Sequence, residues 1–247
     1  MVEGEKKMEP ENEKEKKKDY YRQTAIIVGL LFITATAVTI VGIVFMGSSL
    51  EDDPVDLVKV VDNETGIIIA GICWIILAIS VAGIGFFMHP ILKKYHEGLS
   101  LGYVSFRLME TVLILVSVIS LQSLLTLSQE FVAGDLNAAD YEPSVILLKA
   151  LFDWSFIIGT MIFLGLGGLV LNFILFKLKL VPSWLSIWGF IGGACVLLYG
   201  LISLFGHDPA ILAAPLAVQE MVFAVWLIAK GFNPPVTTSN SEKTDVN

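Results

Sequence analysis

Six apolar runs recur along the chain, each long enough to cross a bilayer, at about 25–46, 66–88, 102–127, 150–176, 184–205 and 210–228. None alternates apolar with polar residues, so the pattern speaks for helices and against a transmembrane β-barrel. The last run, Ala210–Ile228, makes a helix of roughly 28 Å at about 1.5 Å per residue, which matches a hydrocarbon core of about 30 Å. The expected fold is all-α: a polytopic transmembrane helical bundle of six spans.

The polar stretches between the runs set the orientation. Lys6, Lys7, Lys14, Lys16, Lys17, Lys18 and Arg22 precede the first span. Lys93 and Lys94 lie between the second and third, Lys177 and Lys179 between the fourth and fifth, and Lys230 and Lys243 after the sixth. The alternate loops hold Glu51, Asp52, Asp53, Asp56, Asp62 and Glu64, then Glu130, Asp135, Asp140 and Glu142, then Asp208, with Lys59 and Lys149 the basic exceptions. The positive-inside rule therefore places both termini in the cytoplasm. Residues 1–19 are mostly Glu and Lys, without the apolar core or cleavage site of a secretory signal, and read as a disordered charged cytoplasmic head or a frayed helix. Residues 20–232 form the membrane domain, and 233–247 read as a disordered cytoplasmic tail.

Finer elements follow from local patterns. Asp53 and Pro54 suit the cap and first position of a short outer helix, with polar Asp53, Asp56, Lys59 and Asp62 at every third position. Asp208 and Pro209 suit the same roles before the sixth span, and Pro215 is expected to kink that span. Glu130–Pro143 reads as an acidic loop, with Ser144–Asp153 a helix leading into the fourth span. Asn63-Glu64-Thr65 matches a glycosylation sequon. Gly189 and Gly193 on the fifth span, and Gly165, Gly167 and Gly168 on the fourth, suit close helix packing. Trp184, Trp188 and Trp226 are expected at the inner interface and Tyr141 and Trp154 at the outer one.

Composition agrees: 55% of the 247 residues are hydrophobic. The net charge of −8 resides in tails and loops, and no basic patch or nucleic-acid motif is present, so no nucleic-acid partner is expected. The two cysteines, Cys73 and Cys195, lie in separate runs and read as small packing residues. His89, His96 and His207 fall at span ends on opposite sides, and no nucleophile elbow, phosphate loop or Cys-x-x-Cys occurs, so neither metal nor cofactor is expected.

Inside the spans polarity is scarce. Arg107 and Glu110 on the third span are neighbours on one helical face, and Gln219 and Glu220 sit mid-way along the sixth. Asn172 on the fourth falls at a similar depth, so these five residues are the candidate intramembrane polar centre, in the inner half of the bundle. Arg107 pairs with Glu110 or with Glu220; an ion pair tying helices together, a ligand, ion or proton site at Glu220, and a snorkelling Arg107 are the readings open.

Three stretches carry a likeness to a known family: Tyr103–Glu110 (YVSFRLME), Leu180–Gly189 (LVPSWLSIWG) and Gln219–Phe232 (QEMVFAVWLIAKGF). The chain resembles the prokaryotic membrane proteins grouped as domain of unknown function 4386, from about Tyr21 to Phe232. In that family the Arg and Glu of the third span match Arg107 and Glu110, and the Gln-Glu pair of the sixth matches Gln219 and Glu220. The resemblance implies six spans in a bacterial or archaeal plasma membrane and no established activity.

The leading expectation is a non-enzymatic membrane protein acting in transport, sensing or as a membrane partner. Its partners are the lipid bilayer and a small ligand, ion or proton at Glu220. A membrane enzyme acting on a lipid or isoprenoid substrate, with Glu110 or Glu220 as general acid/base, and a purely structural subunit are the alternatives.

Overall fold

The computed structural model describes residues 11–52, 54–134 and 138–233. Among these there is no strand, and six helical stretches are long and apolar enough to cross a membrane: Asp19–Met46, Glu64–Leu92, Glu97–Ala133, Tyr141–Leu178, Ser183–Ser203 and Ala210–Ala229. The elements in chain order are α1 (Glu11–Met46), the short α2 (Leu57–Asp62), α3 (Glu64–Leu92) and α4 (Glu97–Ala133). The fourth span is α5 (Ala138–Ile157), a π-helical turn (Ile158–Phe163) and α6 (Leu164–Leu178). Then come α7 (Ser183–Ser203), a 3-10 turn (Ala210–Ala213) and α8 (Ala214–Ala229).

The helices outrun the apolar runs that predict them because polar ends continue the same backbone ladder. Residues 11–19 of the charged head are the first turns of α1, and residues 1–10 and 234–247 lie outside the described residues. The loop expected over Glu130–Pro143 shrinks: α4 reaches Ala133, Gly134 caps it with φ 82°, and α5 starts at Ala138.

The spans close into a ring. α1 packs on α3, α3 on α4, α4 on the fourth span, α6 on α7, α7 on α8, and α8 back on α1. Arg22 fixes that closure at the end of the bundle where α1 enters and α8 leaves it, donating to the carbonyls of Leu227 (3.3 Å) and Ile228 (2.7 Å). A cation on the last carbonyls of α8 satisfies acceptors that the helix leaves free and opposes its dipole. We call this the terminal end and the opposite one the far end.

Two apolar cores fill the ring. The terminal-end core joins Phe32, Ile84, Met88, Tyr103, Leu175, Leu185, Phe223 and Leu227, with Phe32 and Phe223 edge to face at 5.6 Å. The far-end core is built on Trp74, whose ring lies 5.6 Å from Phe152 and 5.3 Å from Phe156, together with Ile67, Ile114, Leu121, Leu124 and Tyr141. Tyr141 is buried at this end with its ring edge-on to Phe131, in the part of α5 that replaces the expected loop. On the other side of the ring the small residues make a backbone crossing: a Cβ on Gly165 would lie 2.7 Å from Leu197 N, and one on Gly193 would lie 3.0 Å from Leu169 N.

Three local expectations are corrected. Asp56, not Asp53, caps α2; its carboxylate accepts from Val58 N at 2.9 Å, the helix starts at Leu57 rather than Pro54, and Asp53 lies outside the described residues. Asp208 caps nothing and accepts from the Tyr199 hydroxyl at 2.7 Å, while Pro209 precedes a 3-10 turn. Pro215 does not interrupt a continuous α-helix; it stands in the first turn of α8, directly after the 3-10 turn, where its missing N–H costs no α-helical hydrogen bond. The sequon residue Asn63 is a strut: its amide donates to the carbonyls of Phe45 and Met46 and to Ser49 Oγ, tying the far end of α1 to the start of α3.

Candidate functional site

The ring encloses a cavity of about 340 Å³ to which all six spans contribute. α1 supplies Phe32, Ala35, Thr36, Thr39, Ile40 and Ile43; α3 supplies Leu77, Val81 and Ile84; α4 supplies Arg107 and Glu110. The fourth span adds Phe156, Thr160, Met161 and Leu164, α7 adds Val196, and the last span adds Ala213, Leu216, Ala217 and Glu220. Its volume is that of a small-molecule pocket, mostly apolar with a few polar groups.

Tyr103, Arg107 and Glu110 recur at helical spacing on one face of α4. Arg107 Nε donates to Tyr103 Oη at 3.1 Å, and Nη1 donates to Glu110 Oε2 at 3.0 Å. Nη2 lies 3.6 Å from Glu220 Oε1 across the ring and makes no hydrogen bond. The guanidinium carbon also sits 5.7 Å from the Phe32 ring centre and 5.5 Å from that of Tyr103. Arg107 does not snorkel: its side chain is 2% exposed, against 4% for Glu110 and 18% for Glu220.

The three groups therefore form one chain of charge, Glu110–Arg107–Glu220, and Arg107 pairs with both acids. The pairing is unequal. Glu110 holds Arg107 by a direct hydrogen bond, and Glu220 stands off and keeps surface in the cavity. With one guanidinium and two carboxylates, the fully ionised set carries one uncompensated negative charge in a low-dielectric interior, where such a charge is costly.

The remaining expected site residues lie elsewhere. Gln219 is buried and donates to the Leu185 carbonyl of α7 at 3.3 Å. Asn172 donates to the Gly168 carbonyl at 2.9 Å and lies flat against Gly189, where an added Cβ would come within 2.2 Å of its Oδ1. Gln219 links α8 to α7, Asn172 packs α6 against α7, and neither lines the cavity.

Sequence reasoning missed the threonines and the π-helical turn. Thr39 and Thr160, which line the cavity, donate their hydroxyls to the carbonyls of Ala35 and Phe156 on their own helices, which leaves each oxygen free to accept. Thr36 and Thr39 are three residues apart on α1, a spacing that could have revealed a polar face. Thr160 stands in the π-helical turn, a distortion that often marks functional positions.

The walls differ in closure. The terminal-end core seals the cavity beneath the triad. On the flank, Ile40 and Ile43 of α1 and Ala217 of α8 line the cavity while also being exposed, so it opens sideways between these two helices.

A family model described as Domain of unknown function (DUF4386) matches residues 27–231, which takes in every residue of the cavity. Neither the curated proteins nor the solved structures give a match to the chain.

Proposed function

The chain belongs to that family, and we propose that it is a non-enzymatic, ligand-binding protein of the transport or sensing kind, with both termini in the cytoplasm of a prokaryotic plasma membrane. The observation that carries this reading is the cavity itself: six spans surround one space whose ionisable lining is Arg107, Glu110 and Glu220. A scaffold needs no such space, and close packing would fill it.

The polar lining supports binding over catalysis. Apart from the triad it consists of three threonines, with no histidine or cysteine among the lining residues. A general acid works with further placed groups that activate a nucleophile or stabilise developing charge. Glu220 is the group suited to respond, since a proton or a bound cation there balances the excess charge. The charged groups facing it are Arg107 and Glu110 from α4; the lining residues of α1, α3, the fourth span and α7 are uncharged.

The distribution of basic residues supports the orientation. Arg22, Lys93, Lys94, Lys177, Lys179 and Lys230 gather at the terminal end. Lys59 and Lys149, the far-end exceptions, are each neutralised by a carboxylate, Asp52 and Asp153.

Mass spectrometry of small molecules retained by the protein in nanodiscs tests the binding role. A species held by the native chain and lost from an equally stable Ala217→Trp variant is the expected result. Identical small-molecule content in both would overturn it.

A further inference from the structure

The cavity selects among ligands by charge, by hydrogen-bond polarity and by access, and the three agree. Its one cation is already engaged: Arg107 gives Nε to Tyr103 and Nη1 to Glu110, and faces Glu220 with Nη2. An incoming anion would meet two carboxylates and a guanidinium that both already neutralise. A cation would meet the reverse, a carboxylate that stands 3.6 Å off its partner and keeps surface in the cavity.

Hydrogen-bond polarity points the same way. Thr39 and Thr160 spend their protons on their own helices, so with Glu220 they can accept from an occupant, and the Thr36 hydroxyl in the same lining can accept or donate. An occupant that brings N–H groups is matched by these acceptors. The rest of the wall is aliphatic and aromatic, including Phe32, Phe156, Leu77 and Leu216, and takes an apolar body. The way in lies between Ile40 and Ile43 on α1 and Ala217 on α8, on the apolar flank of the bundle.

Resting on the binding role argued above, we propose that the ligand is a membrane-partitioning amine: an apolar body with one protonated amino group, which enters from the lipid between α1 and α8. Its ammonium sits on Glu220 and donates to the threonine hydroxyls. The ligand then completes the set as two cations with two carboxylates, which leaves no charge uncompensated in the interior. A proton on Glu220 does the same in the empty state, so amine and proton compete for one carboxylate.

Three probes of similar shape separate the possibilities: 2-phenylethylamine, 2-phenylethanol and 3-phenylpropanoate, titrated against the native protein in nanodiscs by calorimetry. The amine should bind, with the alcohol much weaker and the carboxylate silent. Glu220→Gln should weaken the amine about thirtyfold or more, the loss expected when one partner of a buried hydrogen-bonded charge pair is truncated. Ala217→Trp should abolish binding by filling the entrance. The probe series on the native chain stands even where Glu220→Gln fails to fold. If the alcohol or the carboxylate binds as well as the amine and Ala217→Trp removes that binding, the cavity is a ligand site and the amine assignment is overturned. If no probe binds, or binding is indifferent to Ala217→Trp, both readings fall.

Discussion

Arg107 Nη1 lies 3.0 Å from Glu110 Oε2 within one helix, whereas its Nη2 stays 3.6 Å from Glu220 Oε1 on another. That inequality separates a structural acid from a responsive one. Glu110 needs only the helical repeat to meet Arg107, so the pair forms wherever α4 forms. Glu220 arrives by tertiary packing and remains the more exposed.

A double-mutant cycle reads this asymmetry. Arg107→Ala should destabilise the protein by about 3–5 kcal/mol, the range for stripping one partner from a buried pair. Coupling of Arg107→Ala to Glu110→Gln should exceed its coupling to Glu220→Gln, measured by unfolding in mixed micelles. Equal couplings would mean that both acids hold Arg107 alike.

At the α6–α7 crossing, Gly165→Ala should cost about 1–3 kcal/mol, since the new methyl meets backbone that cannot swing aside. Gly102→Ala on α4 is the control, because nothing lies within 4 Å of the added carbon. Thermal unfolding of both variants checks the contrast, and equal melting temperatures would count against so close a crossing.

Gly189→Ala should destabilise by driving a methyl into Asn172, and Asn172→Ala should relieve most of that loss. The rescue distinguishes steric conflict from a general intolerance of α7 to substitution. Additive losses in the double variant would contradict the contact.

Asn63→Asp should be worse than Asn63→Ala, as it turns a donor facing two backbone carbonyls into an acceptor. Thermal melting of the two variants compares them, and the reverse order would remove the strut from the far end of α1.

The helices were legible because long apolar runs admit few alternatives in a bilayer, where backbone groups must be satisfied within the segment. The Arg107–Glu110 pair was legible from spacing alone. Gln219 and Asn172 share the depth of the charged groups but not the cavity lining, because depth along a span does not specify its face. Gln219 and Glu220 are consecutive, yet successive residues are about 100° apart around a helix, and Gln219 turns to α7. Thr39 and Thr160 are not legible because a threonine back-bonded to its own helix looks like ordinary filler in a sequence. The acidic stretch Glu130–Pro143 reads as a loop because its charge hides the helix: α5 starts at Ala138 and runs through Pro143.

The most direct test concerns which carboxyl the cavity presents to lipid. Dicyclohexylcarbodiimide is an apolar reagent that reaches membrane-buried acids from the lipid and modifies them covalently through the protonated form. The native protein in liposomes, treated at mildly acidic and at neutral pH, is digested and mapped by mass spectrometry. Modification at Glu220 and not at Glu110, suppressed by Ala217→Trp, is the outcome expected of a cavity that opens between α1 and α8 above a responsive Glu220. Modification of Glu110 to the same extent, or labelling of Glu220 that Ala217→Trp leaves unchanged, would contradict it.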